Sequence, residues 1–251
     1  MTTRKECSIN LIVKNNIGTM TYFCIYPMSY FHFAKIVCSM EKASSLIDHL
    51  VREKYIIVRS REQLSWGSWE HCEQLFREIF CRVDFSARPY QHLPEYAEVI
   101  DWMTATNGLG LLLYGNCGRG KSVILTGVVP VLLRMLNKGT YPIHADEFSL
   151  RYPFASSTEG CDPRMTNLEY LIHRSSYPII DELGTETLIN DYGEKYEGFN
   201  RIINAAERDL RPLFVSTNLS RDEIYRRYGE RTFDRLMHLC RIVEFRGDSL
   251  R

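Results

Sequence analysis

Eight consecutive residues, from Gly115 to Ser122, match the pattern G-x-x-x-x-G-K-[ST] directly after an apolar run that ends at Tyr114. Glycines let backbone N–H groups turn inward around phosphate oxygens, and the helix that follows offers the positive end of its dipole to the same anion. Lys121 can reach the β- and γ-phosphates of a nucleotide, and the Ser122 hydroxyl can ligate Mg²⁺. The pattern therefore predicts a phosphate loop. Its residues are Gly115, Asn116, Cys117, Gly118, Arg119, Gly120, Lys121 and Ser122.

Two adjacent acids, Asp181 and Glu182, follow a second apolar run, Tyr177 to Ile180. At the tip of a strand, Asp181 can hold Mg²⁺ through water, and Glu182 can orient and deprotonate an attacking water. Two acids after an apolar run are a weak signal alone. Because they follow a phosphate loop in an alternation of strands and helices, they predict magnesium-dependent nucleotide hydrolysis.

Three polar residues further along the chain could complete such a site. If the apolar run Leu213 to Thr217 lies between the two strands above, Asn218 can reach the γ-phosphate and the attacking water. The alternative is a helix cap, a role that Ser220 fills more naturally. Arg231 and Arg235 are four residues apart, so they share one helical face. An arginine supplied across a subunit interface can stabilise charge on a transferred phosphoryl group, although solvated charge is the simpler explanation of a lone arginine.

The elements that must position these residues alternate between short apolar runs and helical patterns. The predicted strands are Leu109 to Tyr114, Tyr141 to His144, Tyr177 to Asp181, Leu213 to Thr217 and Ile242 to Phe245. The predicted helices are Glu41 to Lys54, Ser68 to Arg82, Glu95 to Thr106, Lys121 to Asn137, one within Asp146 to Ser176, Lys195 to Asp209, and Arg221 to Cys240 with a break at Gly229. This alternation is typical of a parallel sheet that is covered by helices on both faces.

The N-terminal part differs in composition from the rest. Residues 1–39 contain closely spaced aromatic side chains and predict an atypical extension. Two hypotheses stay open: a genuine N-terminal strand or membrane-facing segment, or upstream sequence preceding a natural start at Met40. Residues 40–84 predict a small helical appendage, with a short β-like piece between its helices. Residues 85–94, which contain two prolines, predict a linker to a main domain over residues 95–251.

Composition limits the classes of function. The chain has 251 residues, 45% of them hydrophobic, with 31 basic and 31 acidic side chains. A balanced charge gives no global field, so any contact with nucleic acid must be local. The eight cysteines form no C-x-x-C pair. They predict a reduced, cytoplasmic protein with neither a disulfide framework nor a Cys/His metal site.

Taken in order, these motifs resemble the DnaC-type and IstB-like branch of the AAA+ ATPases, which includes bacterial and phage replicative helicase loaders. The resemblance runs from about Tyr90 to Arg251. The motifs that carry it are the phosphate loop, Ile179 to Gly184, Phe199 to Asn204, Ser216 to Leu219, Gly229 to Leu236 and Gly247 to Arg251.

The resemblance implies an AAA+ α/β fold: a five-stranded parallel sheet in the order 5-1-4-3-2, without the helical lid of larger AAA+ proteins. Asn218 would be the first sensor, and Arg235 the arginine finger with Arg231 its neighbour. Arg251, in the Ser-x-Arg position, would be a second sensor that contacts nucleotide. ATP and Mg²⁺ are the implied cofactors.

The implied partners are other copies of the chain through the arginine-finger face, a replicative helicase through residues 40–84, and single-stranded DNA. The candidate DNA contacts are Arg151, Tyr152, Phe154, Arg164 and Arg174. An IstB-like transposition ATPase, with a transposase partner, is one alternative. A P-loop small-molecule kinase is another, but it leaves Asn218 and the Gly229 to Leu236 segment unexplained. The presence of both Asp181 and Glu182 argues against a third, an adaptor that binds ATP without hydrolysing it.

Overall fold

The protein, in this computed structural model, is described over residues 12–14, 20–22, 40–56, 59–86, 89–191 and 193–250. It divides into two units, Met1–Ser60 and Arg61–Arg251. The first unit contains an antiparallel pair of short strands, β1 (Ile12–Lys14) and β2 (Met20–Tyr22), followed by helix α1 (Met40–Arg52). Most of the predicted extension over residues 1–39, and the end of the β-like piece at residues 57 and 58, lie outside the described residues.

The second unit begins with two helices that pack together, α2 (Trp69–Val83) and α3 (Pro94–Thr104). The Ser68 side chain caps α2 by accepting a hydrogen bond from the backbone N–H of His71. Pro94 stands in the first turn of α3, where its missing N–H leaves no helical bond unmade. Phe76 and Phe80 of α2 are buried in one hydrophobic cluster with the residues of α3.

The other strands in the described part of the chain are β3 (Gly110–Gly115), β4 (Pro142–His144), β5 (Ile179–Leu183), β6 (Ile189–Asp191), β7 (Glu194–Tyr196), β8 (Phe214–Thr217) and β9 (Cys240–Phe245). Five of them form one sheet in the order β4-β5-β8-β3-β9, and every neighbouring pair is parallel. Counted along the chain, this is the order 5-1-4-3-2, so the predicted fold class is confirmed. The strand β8 lies between β3 and β5, as the role expected of Asn218 requires.

The helices that cover the sheet follow the strands in alternation. They are a π-helical turn (Val123–Val128) continuing into α4 (Val129–Met135), then α5 (Asn167–His173), α6 (Gly198–Arg208), α7 (Arg221–Tyr228) and α8 (Glu230–Leu239). Leu111 and Leu113 of β3 face the cluster that contains α2, α3 and α4, whereas Leu112 faces the cluster that contains α6 and α8. The alternation places a hydrophobic core on each face of the sheet.

Three features differ from the sequence-based expectations. The boundary between units falls at residues 60 and 61, whereas the sequence suggested a boundary near residue 84. The amphipathic pattern of residues 68–82 predicted a helix of the appendage. The apolar face of this helix, α2, instead packs into the core of the second unit. Residues 195–196, expected to begin a helix, belong to the hairpin β6–β7.

None of the helices among the described residues is long and apolar enough to cross a membrane.

Candidate nucleotide site

The phosphate loop connects the C-terminal end of β3 to the helix that begins at Lys121. The Lys121 side chain is buried and folds back over the loop, where its Nζ donates to the carbonyl oxygens of Gly115 at 2.8 Å and Asn116 at 2.7 Å. The ammonium group is therefore held at the loop itself, where a phosphate would meet it.

Gly120 allows the loop to pass close to α3. Its φ is 88°, and a Cβ there would lie 2.6 Å from the hydroxyl oxygen of Tyr96. That hydroxyl donates to the carbonyl of Arg119 at 3.0 Å. Any residue larger than glycine at position 120 would displace Tyr96 and strain the backbone, so the second glycine of the motif has a steric cause.

A segment from Phe245 to Leu250, here called the C-terminal strap, binds the other side of the loop. The backbone N–H of Asn116 donates to the Phe245 carbonyl at 2.8 Å, and its side-chain amide donates to the Gly247 carbonyl at 2.8 Å. The Leu250 N–H donates to the Gly118 carbonyl at 3.0 Å. The strap thus fixes the loop through its backbone.

The Arg119 side chain points away from the loop and into protein. Its Nε lies 2.6 Å from Oε1 of Glu95 on α3, and its Nη1 donates to the Asp248 carbonyl at 3.0 Å. Both members of this ion pair are buried. Arg119 therefore joins the loop, α3 and the strap, and only its backbone is available to phosphate.

Asp181 and Ser216 lie side by side at the ends of β5 and β8. Asp181 is 1% exposed, and its Oδ1 accepts a hydrogen bond from the Ser216 hydroxyl. The other carboxylate oxygen, Oδ2, is buried and has no hydrogen-bond partner among the described residues. The ring nitrogen Nδ1 of His144 is 3.8 Å from it. An unsatisfied buried carboxylate oxygen needs a partner, and a hydrated cation would supply one.

Glu182 occupies a strained position in a break of the β5–β8 ladder. Its φ is 55°, a region that residues other than glycine seldom adopt, and the pairing register shifts between Ile180 and Leu183. The same Ser216 oxygen that binds Asp181 accepts the Glu182 backbone N–H at 3.0 Å. Ser216 therefore fixes both acids. The Glu182 side chain is exposed and lines the cavity described next.

A cavity of about 1070 Å³ unites the loop with the strand ends. The residues predicted for the site that line it are Cys117, Gly118, Gly120, Lys121, Ser122, Glu182 and Asn218. Among the described residues, no group of three or more His, Cys, Asp and Glu side chains is arranged to hold a metal. A Mg²⁺ ion here would take most of its ligands from phosphates and water, as Mg²⁺ prefers. Ser122 and the unpaired oxygen of Asp181 suit that arrangement.

The other end of the cavity is built by residues that the sequence analysis assigned to an appendage and a linker. Phe80 and Val83 of α2 line it, followed by Phe85 and Tyr90. Burial raises the pKa of Tyr90 to about 12, so its hydroxyl stays protonated at neutral pH. Aromatic and aliphatic side chains thus line this end of the cavity, together with the polar residues Arg82, Asp84 and Gln91. Nothing in the spacing of these residues signals that role, because it depends on how α2 packs.

The remaining predicted residues are not all brought to the cavity. Asn218 is exposed at the end of β8 and lines it. Arg231 and Arg235 lie on α8, and neither lines the cavity. Arg235 is mostly buried: its Nε is 2.5 Å from Oε2 of Glu207, and its Nη1 donates to Asn204, both on α6. Arg231 is exposed. The predicted second sensor, Arg251, lies outside the described residues.

The five candidate DNA contacts lie between β4 and β5, and the structure separates them. Tyr152 is buried and stacks on Tyr170 with ring centroids 3.9 Å apart, so it is not available to stack on a base. Phe154 is 48% exposed. Arg151, Arg164 and Arg174 are exposed as well. One aromatic and three cations thus remain on this surface.

Ser216 is the site residue that sequence reasoning missed. It lies in the apolar run Leu213 to Thr217 that predicts β8, but the polar residue chosen for the site was Asn218, just after that run. A serine near the end of a buried strand, next to a strand end that carries two acids, is the signal that could have identified it.

The strand order and the phosphate loop define the class: the chain has the AAA+ P-loop fold. No protein-family model matches the sequence, and a comparison with curated proteins found no match.

Solved structures similar to this chain include the DnaC helicase loader, with 16% identity, a TM-score of 0.49, and coverage of 66% of this chain and 98% of that one. DnaI is 17% identical with a TM-score of 0.47, covering 71% of this chain and 93% of that one. AMPPCP-bound DnaA from Aquifex aeolicus is 14% identical with a TM-score of 0.39, covering 56% and 41% respectively. Since these TM-scores are below 0.5, the fold assignment rests on the chain's own strand order and loop.

Proposed function

We propose that this protein is a magnesium-dependent ATPase of the AAA+ class that acts in DNA replication as a helicase-loader-like factor. The observation that carries the ATPase part is the convergence of Lys121, Ser122, Glu182 and Asn218 on one cavity, beside a buried oxygen of Asp181 that lacks a partner. The loader part rests on the motif resemblance. We also propose a cytoplasmic location for the protein, as predicted from its cysteines.

The chemistry follows from the placement of these groups. Lys121 and the loop amides bind the β- and γ-phosphates, and Ser122 and Asp181 would hold Mg²⁺, which when bound neutralises charge on the phosphate oxygens. Glu182 accepts a proton from a water whose oxygen bonds to the γ-phosphorus as the bond to the bridging oxygen breaks. Asn218 orients that water.

The arginine that stabilises charge on the transferred phosphoryl group would come from a neighbouring copy of the chain. Since neither Arg231 nor Arg235 lines the cavity of its own chain, an arginine on α8 would complete the site of the next subunit. Arg235 must then leave Glu207 and Asn204 on assembly, whereas Arg231 is already exposed.

The decisive measurement is ATP turnover per subunit against protein concentration, with and without single-stranded DNA. We expect turnover per subunit to rise with protein concentration. Arg235→Ala should lower the rate at saturation by about a thousandfold, and Arg231→Ala is compared beside it. Arg226→Ala is the matched control, because Arg226 is an exposed arginine on the adjacent helix α7. A rate that does not depend on concentration, together with full activity of both α8 variants, would contradict the shared site and favour the kinase.

The partner is tested separately, by pull-down of a purified replicative helicase or transposase with the full chain. Binding of the helicase supports the loader function proposed for the N-terminal region, and binding of the transposase alone favours the IstB-like alternative. The DNA surface is tested in parallel. We expect Phe154→Ala to weaken binding of a single-stranded oligonucleotide about tenfold, because loss of one stacked base costs about 1–3 kcal/mol.

A further inference from the structure

A buried acid four residues after Glu182 has no role in the site described above. Glu186 is 4% exposed, and both of its carboxylate oxygens are hydrogen bonded. Oε2 accepts the backbone N–H of Gly184 at 2.7 Å, and Oε1 accepts the hydroxyl of Tyr228. Burying a carboxylate is unfavourable unless it is paired, so its partners indicate what it holds in place.

One partner is the turn that follows Glu182. Thr185 closes this turn by donating its N–H at 3.2 Å and its hydroxyl at 2.9 Å to the Glu182 carbonyl. Gly184, at φ 109°, is packed so closely that an added Cβ would lie 2.8 Å from Cδ1 of Leu219. Glu186 thus holds the backbone of Gly184 by a hydrogen bond, two residues after Glu182. The backbone of Glu182 is itself strained, with φ at 55°.

The other partners are the last two residues of α7. Arg227 donates from Nη1 to the Gly184 carbonyl and from Nη2 to the Glu186 carbonyl at 2.6 Å. Burial, reinforced by Glu186, raises the pKa of the Tyr228 hydroxyl, which therefore remains a donor. Glu186, Arg227 and Tyr228 therefore join the turn after Glu182 to the helix α7. This helix begins at Arg221, three residues after Asn218, which is the other residue proposed to orient water.

We infer that Glu186, Arg227 and Tyr228 are positioning residues that hold Glu182 in the orientation needed to activate water. The inference rests on the proposed ATPase function. A strained backbone persists only where its surroundings over-determine it, and outer contacts of this kind set the geometry of the groups that react. None of the three lines the cavity, so they act on turnover through Glu182 and leave nucleotide binding alone.

The test compares full-length Glu186→Gln and Tyr228→Phe with the parent at saturating protein concentration. We expect kcat to fall about tenfold in Glu186→Gln and about threefold in Tyr228→Phe, with KM and the Kd of a non-hydrolysable ATP analogue changed less than twofold. Tyr228→Phe retains the ring that packs on Phe199, so it removes little besides the hydroxyl. A merely structural role would reduce kcat and binding capacity together, through a smaller folded fraction.

Glu197→Gln is the matched control. Glu197 is also partly buried and lies 3.7 Å from Nε of Arg227, but it makes no hydrogen bond to the Glu182 turn. Its kcat should equal that of the parent. Unchanged kcat in Glu186→Gln and Tyr228→Phe, or an equal loss in Glu197→Gln, overturns the inference.

Amide hydrogen exchange provides a readout that does not need turnover. Exchange over residues 182–186 should speed up about tenfold in Glu186→Gln, while exchange in the phosphate loop stays as in the parent. Unchanged exchange over residues 182–186 overturns the inference as well. If the parent itself lacks ATPase activity at every concentration, the proposed function fails first. If the parent is active and Glu182→Gln inactive but the Glu186 variant matches the parent, only the positioning role fails.

Discussion

At the scale of single residues, one hydroxyl at the end of β8 makes hydrogen bonds to both acidic residues at the end of β5. Ser216 donates to Oδ1 of Asp181 and accepts from the Glu182 backbone, so it fixes both the carboxylate that we propose to hold Mg²⁺ and the proposed general base. Removing it leaves a buried acceptor and a buried donor unsatisfied, which costs about 1–3 kcal/mol for each group.

We therefore predict that Ser216→Ala lowers kcat for ATP hydrolysis about tenfold with less than a threefold change in ATP affinity, measured by steady-state kinetics and analogue binding. Ser175→Ala is the control. Ser175 is equally buried, but its hydroxyl makes no hydrogen bond to any described residue. An equal effect of the two substitutions would show that Ser216 acts through packing alone.

At the scale of elements, the loop is held from two sides by helix α3 and the C-terminal strap. The buried ion pair of Glu95 and Arg119 lies at their junction. Breaking such a pair by removing one member is far more harmful than removing both, because it leaves a buried charge alone.

We predict that Glu95→Ala lowers the free energy of unfolding by about 3–5 kcal/mol and weakens ATP binding. The double variant Glu95→Ala, Arg119→Ala should recover part of that stability. Urea denaturation measures both. Asp162→Ala, which breaks the exposed pair of Asp162 and Arg164, should leave the free energy of unfolding close to that of the parent, because water screens this pair. A loss in Glu95→Ala no larger than in this control would contradict the prediction.

The elements of the sheet could be predicted from the sequence because each strand is a short apolar run between helical patterns. The ends of β3, β5 and β8 carry motif residues in a fixed order, and the resemblance that these motifs carry implied the observed sheet order. The same motifs include Lys121, Ser122, Glu182 and Asn218, which line one cavity. The hairpin β6–β7 was missed because its strands have three residues each and no continuous apolar run. Ser216, Glu186 and the apolar end of the cavity depend on packing between distant segments, which local patterns do not encode.

At the scale of the whole molecule, the division at residues 60 and 61 places α2 in the same unit as the parallel sheet and the phosphate loop. Phe76 and Phe80 of α2 contact Tyr96 of α3, with ring centroids 5.4 and 5.2 Å away. A main domain that began at residue 95, after the linker that the sequence pattern suggested, would lack these rings and would open one end of the cavity.

We predict that a chain over residues 61–251 unfolds cooperatively and binds an ATP analogue within about twofold of the full protein, since its core is intact. A chain over residues 94–251 should lose binding and cooperative melting, because removing two buried aromatic side chains from the core costs about 3–5 kcal/mol for each. Thermal melts followed by circular dichroism and analogue titrations decide between them. Equal binding by both chains would refute the role of α2.

The strand order has a consequence for synthesis on the ribosome. The phosphate-loop strand β3 pairs with β8 and β9, which begin at residues 214 and 240 and are therefore translated later, at about 5–20 residues per second. Until residues 240–245 have left the exit tunnel, β3 lacks one neighbour and the loop lacks its strap. We therefore expect the phosphate loop of a nascent chain to gain its last backbone contacts only once the strap is exposed, and polypeptides released before that point should not compete for ATP.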